Sequence, residues 1–163
     1  MDRRDELAAL ARAIIDANVY MTLGTADGTG LPWVNPVYFA ATDYRDFYWI
    51  SSPDTAHSRN LRVRPQLSIV VFDSTIAVGT GQAVYMFATA TEVSADAELD
   101  QALTVYPGSS RGGRALTRDE VAAPSPYRMY RATASQHWVL CPRDPRPCAE
   151  HGLAYDHRTT VDL

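Results

Sequence analysis

At 163 residues, with 46% hydrophobic and 21% charged positions, the chain has the make-up of one globular domain, residues 1–163, whose core needs no metal or disulfide. A formal net charge of −4 argues against a general nucleic-acid binder, and no apolar run approaches the roughly 20 residues that span a bilayer. All 15 basic residues are Arg, which excludes Schiff-base chemistry through Lys and leaves guanidinium and His as the cationic contacts.

The charged N-terminus leads into a helix over residues 4–17, with Leu7, Leu10, Ala11, Ile14 and Ile15 on one face, so no signal peptide is expected. Val19 to Thr25 reads as a strand, Asp27-Gly28 as a hairpin turn, and Leu31 to Ala40 as a second strand. Pro32 and Pro36 cannot donate to a ladder, so that strand is bent or lies at an edge where a ligand faces its backbone. Phe47 to Ser51 is a third strand and about Thr55 to Arg64 a helix stopped by Pro65. Leu67 to Asp73 is a β-branched run that suits a strand buried on both faces. Gln82 to Val93 is a long strand, and Ser94 is expected to cap a helix through about Tyr106.

Residues 107–116 form a Gly/Ser/Arg loop, a flexible connection or a lid, before the capping box Thr117–Glu120. Tyr127 to Leu140 reads as one or two strands, and the Pro-rich tail from Cys141 as irregular but packed. The fold class is mainly β (α+β). An antiparallel sheet of six or seven turn-connected strands closes into a small barrel, with helices inserted at its periphery.

One stretch carries chemistry. The apolar strand Phe47-Tyr48-Trp49-Ile50 ends in Ser51-Ser52-Pro53, and a helix opens with Thr55, His57 and Arg59. A hydroxyl-lined turn at a helix N-terminus with an Arg beside it is a way to hold a phosphate group. Cys141, Cys148, His151 and His157 have ligand chemistry, but their spacing fits none of the usual close Cys pairs and Pro interrupts it, so no metal is expected. Two Cys alone indicate a reducing cytoplasm and free thiols.

Several segments occur in a telling order: Tyr20-Met21-Thr22-Leu23-Gly24-Thr25, then Asp27-Gly28-x-Gly30-x-Pro32-Trp33-Val34-Asn35-Pro36-Val37-Tyr38-Phe39, then Phe47 to Pro53 with His57-Ser58-Arg59-Asn60-Leu61. Gly81-Gln82-Ala83-Val84-Tyr85, Tyr130-Arg131 and His137-Trp138 follow. Together these resemble the FMN-binding split-barrel family related to pyridoxamine 5′-phosphate oxidase. The resemblance implies a Greek-key split barrel with FMN at the interface of a homodimer. It implies that Asn35, Pro36, Val37 and Tyr38 line the ring with backbone groups, and that Ser51 and Ser52 contact the ring edge or ribityl chain. His57, Ser58 and Arg59 would hold the phosphate, Gln82 would reach the cofactor, and Trp138 would do so across the interface. Asn35 and Asn60 stand where the oxidases usually carry Arg or Lys.

The function implied is that of a flavin-dependent oxidoreductase, with a small-molecule substrate and NAD(P)H as a candidate donor; no catalytic acid or base stands out. The alternatives on the same fold are a deazaflavin-coenzyme reductase, which needs more basic groups for a longer phosphate tail, and a non-catalytic flavin or haem carrier.

Overall fold

The computed structural model describes residues 2–107 and 112–163. The first helix, α1 (Arg3–Ala17), buries Leu7, Ala8, Ala11 and Ile15, the stripe expected from their spacing. Strands β1 (Tyr20–Ala26) and β2 (Pro32–Tyr38) form a hairpin whose turn is organised by Asp27. Its carboxylate accepts from the backbone N–H of Thr29 at 2.8 Å and of Leu31 at 3.0 Å. Gly30 follows at φ 94, a conformation that favours glycine.

The chain continues through β3 (Ala40–Thr42), β4 (Asp46–Ser51), α2 (Ala56–Val63), β5 (Gln66–Phe72) and β6 (Ala83–Glu92). Then come α3 (Asp96–Val105), a 3₁₀ turn at Arg118–Glu120, β7 (Arg128–Leu140) and β8 (Arg158–Val161). All pairings are antiparallel, in the order β2-β1-β5-β6-β7-β4-β3, with short β8 added to β7. This is the expected mainly β barrel architecture with peripheral helices.

The two edges of that path, β2 and β3, are consecutive in the chain and separated only by Phe39. The two residue steps from Tyr38 to Ala40 span at most about 7 Å, so a seven-strand sheet can satisfy this connection only by curling until its edges meet. Phe39 is fully buried at the seam, where its N–H donates to Val19 O and its ring packs on Phe47 at 5.8 Å. The interior holds Met21, Leu23, Trp49, Ile69, Val84 and Met86, all with essentially no exposure. Outside the barrel, α3 lays Leu99 and Ala102 against Tyr48 and Met129 to make a second, smaller core.

Four details differ from the sequence reading. The second strand is two, because the chain changes sheet edge at Phe39. The β-branched run of β5 is buried on one face only: Leu67, Ile69 and Val71 are inside while Ser68 and Phe72 are exposed. A curled sheet has one interior, so even a β-branched strand alternates. The residue capping α3 is Ala95, not Ser94, and it makes no side-chain capping bond. The tail ends in a regular strand, β8, whose four residues pair with residues 137–140. Residues 108–111 of the Gly/Ser/Arg loop lie outside the described residues, while Arg114 pairs with Glu120 within the expected capping box. Among the described residues no helix is long and apolar enough to cross a membrane.

Two predictions follow from this packing. Phe39→Ala should destabilise the protein by about 3–5 kcal/mol, read from urea denaturation, because the cavity opens where the edges meet. His57 and His137 are buried, and burial holds both below the ordinary 6.5; the His137 Nε2 contact with Tyr44 O at 2.8 Å opposes this only in part. Below pH 6.5 the unfolded chain therefore binds protons the folded one refuses. Stability should be full above pH 6.5 and decline as pH falls through the lowered folded-state values, with a shallower decline in His137→Gln.

Candidate functional site

The site begins where β4 runs out. Phe47, Tyr48 and Trp49 are buried, so the strand is anchored up to Ser51. A turn over Ser52-Pro53-Asp54 then reverses the chain, closed by the Thr55 N–H donating to Ser52 O at 3.2 Å. Asp54 N–H donates to Ser52 Oγ at 3.2 Å. Thr55 is the N-cap of α2, yet its hydroxyl bonds no N–H of the helix. It sits instead 2.8 Å from Ser58 Oγ, 3.2 Å from His57 Nε2, 3.3 Å from Ser51 Oγ and 3.0 Å from Ser52 O. Ser52 O can only accept, so it takes the Thr55 proton, and the two lone pairs of Thr55 Oγ1 can accept from at most two of Ser51, Ser58 and His57, which leaves one of them able to turn toward an anion. The first N–H groups of α2 carry no side-chain cap, and the helix dipole adds positive potential there.

Two guanidinium groups flank this corner: Arg59 donates to Asp54 O, and Arg62 lies 3.4 Å from Pro53 O. Both are exposed. His57 is buried and held toward its neutral form by desolvation, so it is a neutral donor rather than a third cation. Behind the corner, the Ser58 hydroxyl bonds Tyr130, whose ring stacks on Trp49 at 5.5 Å and 15°. The barrel core thus supports the pocket floor directly.

The rest of α2 is structural. Asn60 is buried and donates to Thr25 Oγ1 at 3.1 Å, and Thr25 Oγ1 in turn bonds Trp33 O at 3.3 Å. The position where the oxidases carry a cation here seats the helix on β1. Arg64 donates to Asp27 O at 2.8 Å and Gly28 O at 3.1 Å, which commits it to the hairpin turn.

Asn35, Pro36, Val37 and Tyr38 lie on β2, the predicted edge strand. Among the described residues its only ladder partner is β1, so about half its backbone groups face outward. Ala40 pairs with Tyr48, which draws Tyr38 toward the Ile50–Ser51 end of β4. The edge strand and the hydroxyl corner therefore share one side of the barrel. The Tyr38 side chain is tied up by Pro107 O and by edge contacts with Tyr20 and Tyr106, so only its backbone is available.

Gln82 and Trp138 do not join them within one chain. Pairing carries a row from Pro36 through Thr22, Val70 and Tyr85 to Trp138. Four strand spacings amount to about 19 Å around the sheet. Trp138 is half-buried with its ring on Phe87 at 4.8 Å, and Gln82 just precedes β6. Asn35 Oδ1 and Gln82 Oε1 are buried with no hydrogen-bond partner among the described residues.

Sequence reasoning missed Thr55 as the hub and Tyr130 as the support. The hub had a signal in the run of hydroxyls at positions 51, 52, 55 and 58. Tyr130 is distant in sequence and is brought in only by the β4–β7 pairing of Trp49 with Tyr130.

The family model described as "Pyridoxamine 5'-phosphate oxidase" matches residues 7–141. No curated protein matches the chain in sequence. Among solved structures, the haem storage protein HutZ of Vibrio cholerae is 24% identical, with TM-score 0.61 over 80% of this chain and 91% of that one. A FAD-binding protein of Mesorhizobium loti is 21% identical, with TM-score 0.62 over 81% and 92%. A Clostridium acetobutylicum protein related to general stress protein 26, of the pyridoxinephosphate oxidase family, is 11% identical, with TM-score 0.65 over 99% and 97%. At these identities the structures share the fold, and the family model covers most of the chain. The chain belongs to the pyridoxamine 5′-phosphate oxidase family.

Proposed function

We propose that the protein binds FMN between two copies of itself and acts as a flavin-dependent oxidoreductase on a small molecule. The observation that carries this reading is the uncapped start of α2, lined by Ser51, Ser52, Thr55 and Ser58 and flanked by Arg59 and Arg62. A phosphate dianion there meets backbone N–H groups, rotatable hydroxyls and two planar cations. The outward backbone of β2 offers donors and acceptors to a flat heterocycle, and the orphaned oxygens of Asn35 and Gln82 offer two further acceptors.

Two cations suit a single phosphate monoester. Arg64 is committed to the hairpin, His57 is held neutral and Arg128, opposite Ser51, is paired with Glu92, so among the described residues the cations at the corner itself are Arg59 and Arg62, fewer than the longer tail of a deazaflavin coenzyme would want. Near the barrel, His57 is engaged with Thr55 and His137 with Tyr44, and His151 and His157 lie in the tail, away from the corner. That favours a flavin over a haem that would need an axial ligand. When bound, FMN would supply hydride acceptance and donation. The chain's own groups would fix its phosphate, orient its ring along β2 and shield one ring face. The other face would be left open to a small planar substrate or a nicotinamide donor.

A second copy would supply what one barrel keeps apart. Gln82 and Trp138 lie too far around one barrel to meet the corner, so they would act on the partner's site. The face that would join the copies is visible: Val34 is 64% exposed and Phe87 57%, and both rim an open groove over Gly24 and Ser68. A Cβ on Gly24 would stand 2.5 Å from Ser68 Oγ, so this groove depends on a missing side chain.

Arg59→Ala should weaken FMN binding by about 1.5–3 kcal/mol, the range for a charge-assisted contact, or roughly tenfold to 150-fold in Kd by fluorescence titration. Unchanged affinity would remove the phosphate from this corner. Val34→Asp should yield monomers by light scattering and lose bound flavin together with dimerisation. Identifying the cofactor released on denaturation separates FMN from deazaflavin and haem.

A further inference from the structure

The tail brings together four side chains that its sequence spacing keeps apart. Cys141 follows β7 directly, His157 precedes β8, and Cys148 and His151 lie on a tight turn between them. That turn is closed by Gly152 N–H donating to Cys148 O at 2.7 Å and Cys148 N–H donating to Leu153 O at 2.8 Å. One ligand-type atom from each of the four residues falls within 4.8 Å of all the others.

We propose that Cys141, Cys148, His151 and His157 form a structural zinc site that fastens residues 141–157 to the barrel.

Geometry, ligand orientation and the needs of the chain support it. Zn–S near 2.3 Å and Zn–N near 2.0 Å in a tetrahedron place two sulfurs about 3.8 Å apart, sulfur and nitrogen about 3.5 Å, and two nitrogens about 3.3 Å. The separations observed are 3.3 Å for Cys141 Sγ to Cys148 Sγ, 3.8 and 3.6 Å from those sulfurs to His151 Nδ1, and 3.2 Å from His151 Nδ1 to His157 Nε2. The thiols are free, and their sulfurs stand well beyond the roughly 2.05 Å of a disulfide. His157 Nδ1 lies 2.8 Å from Tyr155 O, and a carbonyl can only accept. Its Nε2 therefore presents a lone pair to the cluster, the outer-shell arrangement that orients metal-binding imidazoles.

A connection of this length with no helix or strand of its own is uncommon unless something holds it. Pro142, Pro145 and Pro147 interrupt any regular structure; the ends of the segment are joined by Arg143 with Asp156 and by Cys141 N–H donating to His157 O at 2.9 Å, while the turn that carries Cys148 and His151 lies between them. A metal at the cluster would tie the turn bearing Cys148 and His151 to the junction of β7 and β8, which the ladder already joins. Four protein ligands close the tetrahedron, so the role is structural rather than catalytic. The sulfur and nitrogen donor set selects zinc over magnesium or calcium. The argument for the metal uses none of the groups at the phosphate corner, which lies at the other end of β7, where Arg128 pairs with Ser51.

The test is metal analysis of the full chain purified under reducing conditions. Equimolar zinc is expected, lost in Cys148→Ser and in His151→Gln. The second variant alters an exposed side chain and should stay folded. Cobalt loaded into the metal-free protein should give intense visible bands and a thiolate charge-transfer band in the near ultraviolet. Zinc removal should lower Tm without releasing flavin. A chain that binds neither zinc nor cobalt, a Cys141–Cys148 disulfide in the peptide masses, or zinc kept by both variants would overturn the proposal.

Discussion

The joining of β2 to β3 through Phe39 alone is the constraint on which the rest of the molecule depends. It ties opposite edges of one sheet to neighbouring positions in the chain, so hairpin, barrel and seam must form together. Because β2 takes no second ladder partner among the described residues, the seam is also where backbone groups remain unpaired. An unpaired edge is a liability that proteins usually cover. Here it lies beside the turn that ends β4, so the place where the barrel is least complete is where a flat ligand would complete it.

The hydroxyl corner is held from both sides. On the inner side, Ser58 reaches Tyr130, and Tyr130 stacks on Trp49 in the middle of the core. On the outer side, Arg59 and Arg62 grip the carbonyls of the turn itself. Each such bond is worth only about 0.5–1.5 kcal/mol net, and somewhat more where the donor is charged. Their joint effect is geometric. The turn is organised without using the helix N–H groups, which remain for a ligand. This is preorganisation, in which the ordering cost is met on folding rather than on binding.

Much of this was legible in residues. The first strand, the apolar run of β4, the Asp27-Gly28 turn, the proline-bearing edge strand and the Ser-Ser turn before an Arg-bearing helix could all be read locally. What escaped depended on contacts distant in sequence. The β-branched run of β5 carried no sign that one of its faces would be exposed. Nothing near Tyr130 marks it as the base of a pocket eighty residues away. The Cys/His cluster escaped for a related reason. Spacing rules describe ligands delivered by one short loop, whereas Cys141 and His157 are delivered by the two ends of a paired β7–β8 ribbon.

Arg64 has a mechanical consequence. Its fork grips the carbonyls of Asp27 and Gly28, while Asn60, one turn earlier, is bonded to Thr25. The second half of α2 and the tip of the β1–β2 hairpin therefore behave as one lever. If phosphate capture shifts the start of α2, the far arm would carry that displacement to Trp33 and Val34, two exposed side chains of the edge strand. Occupancy at the anion corner and the grip between subunits would then be read by the same rigid piece.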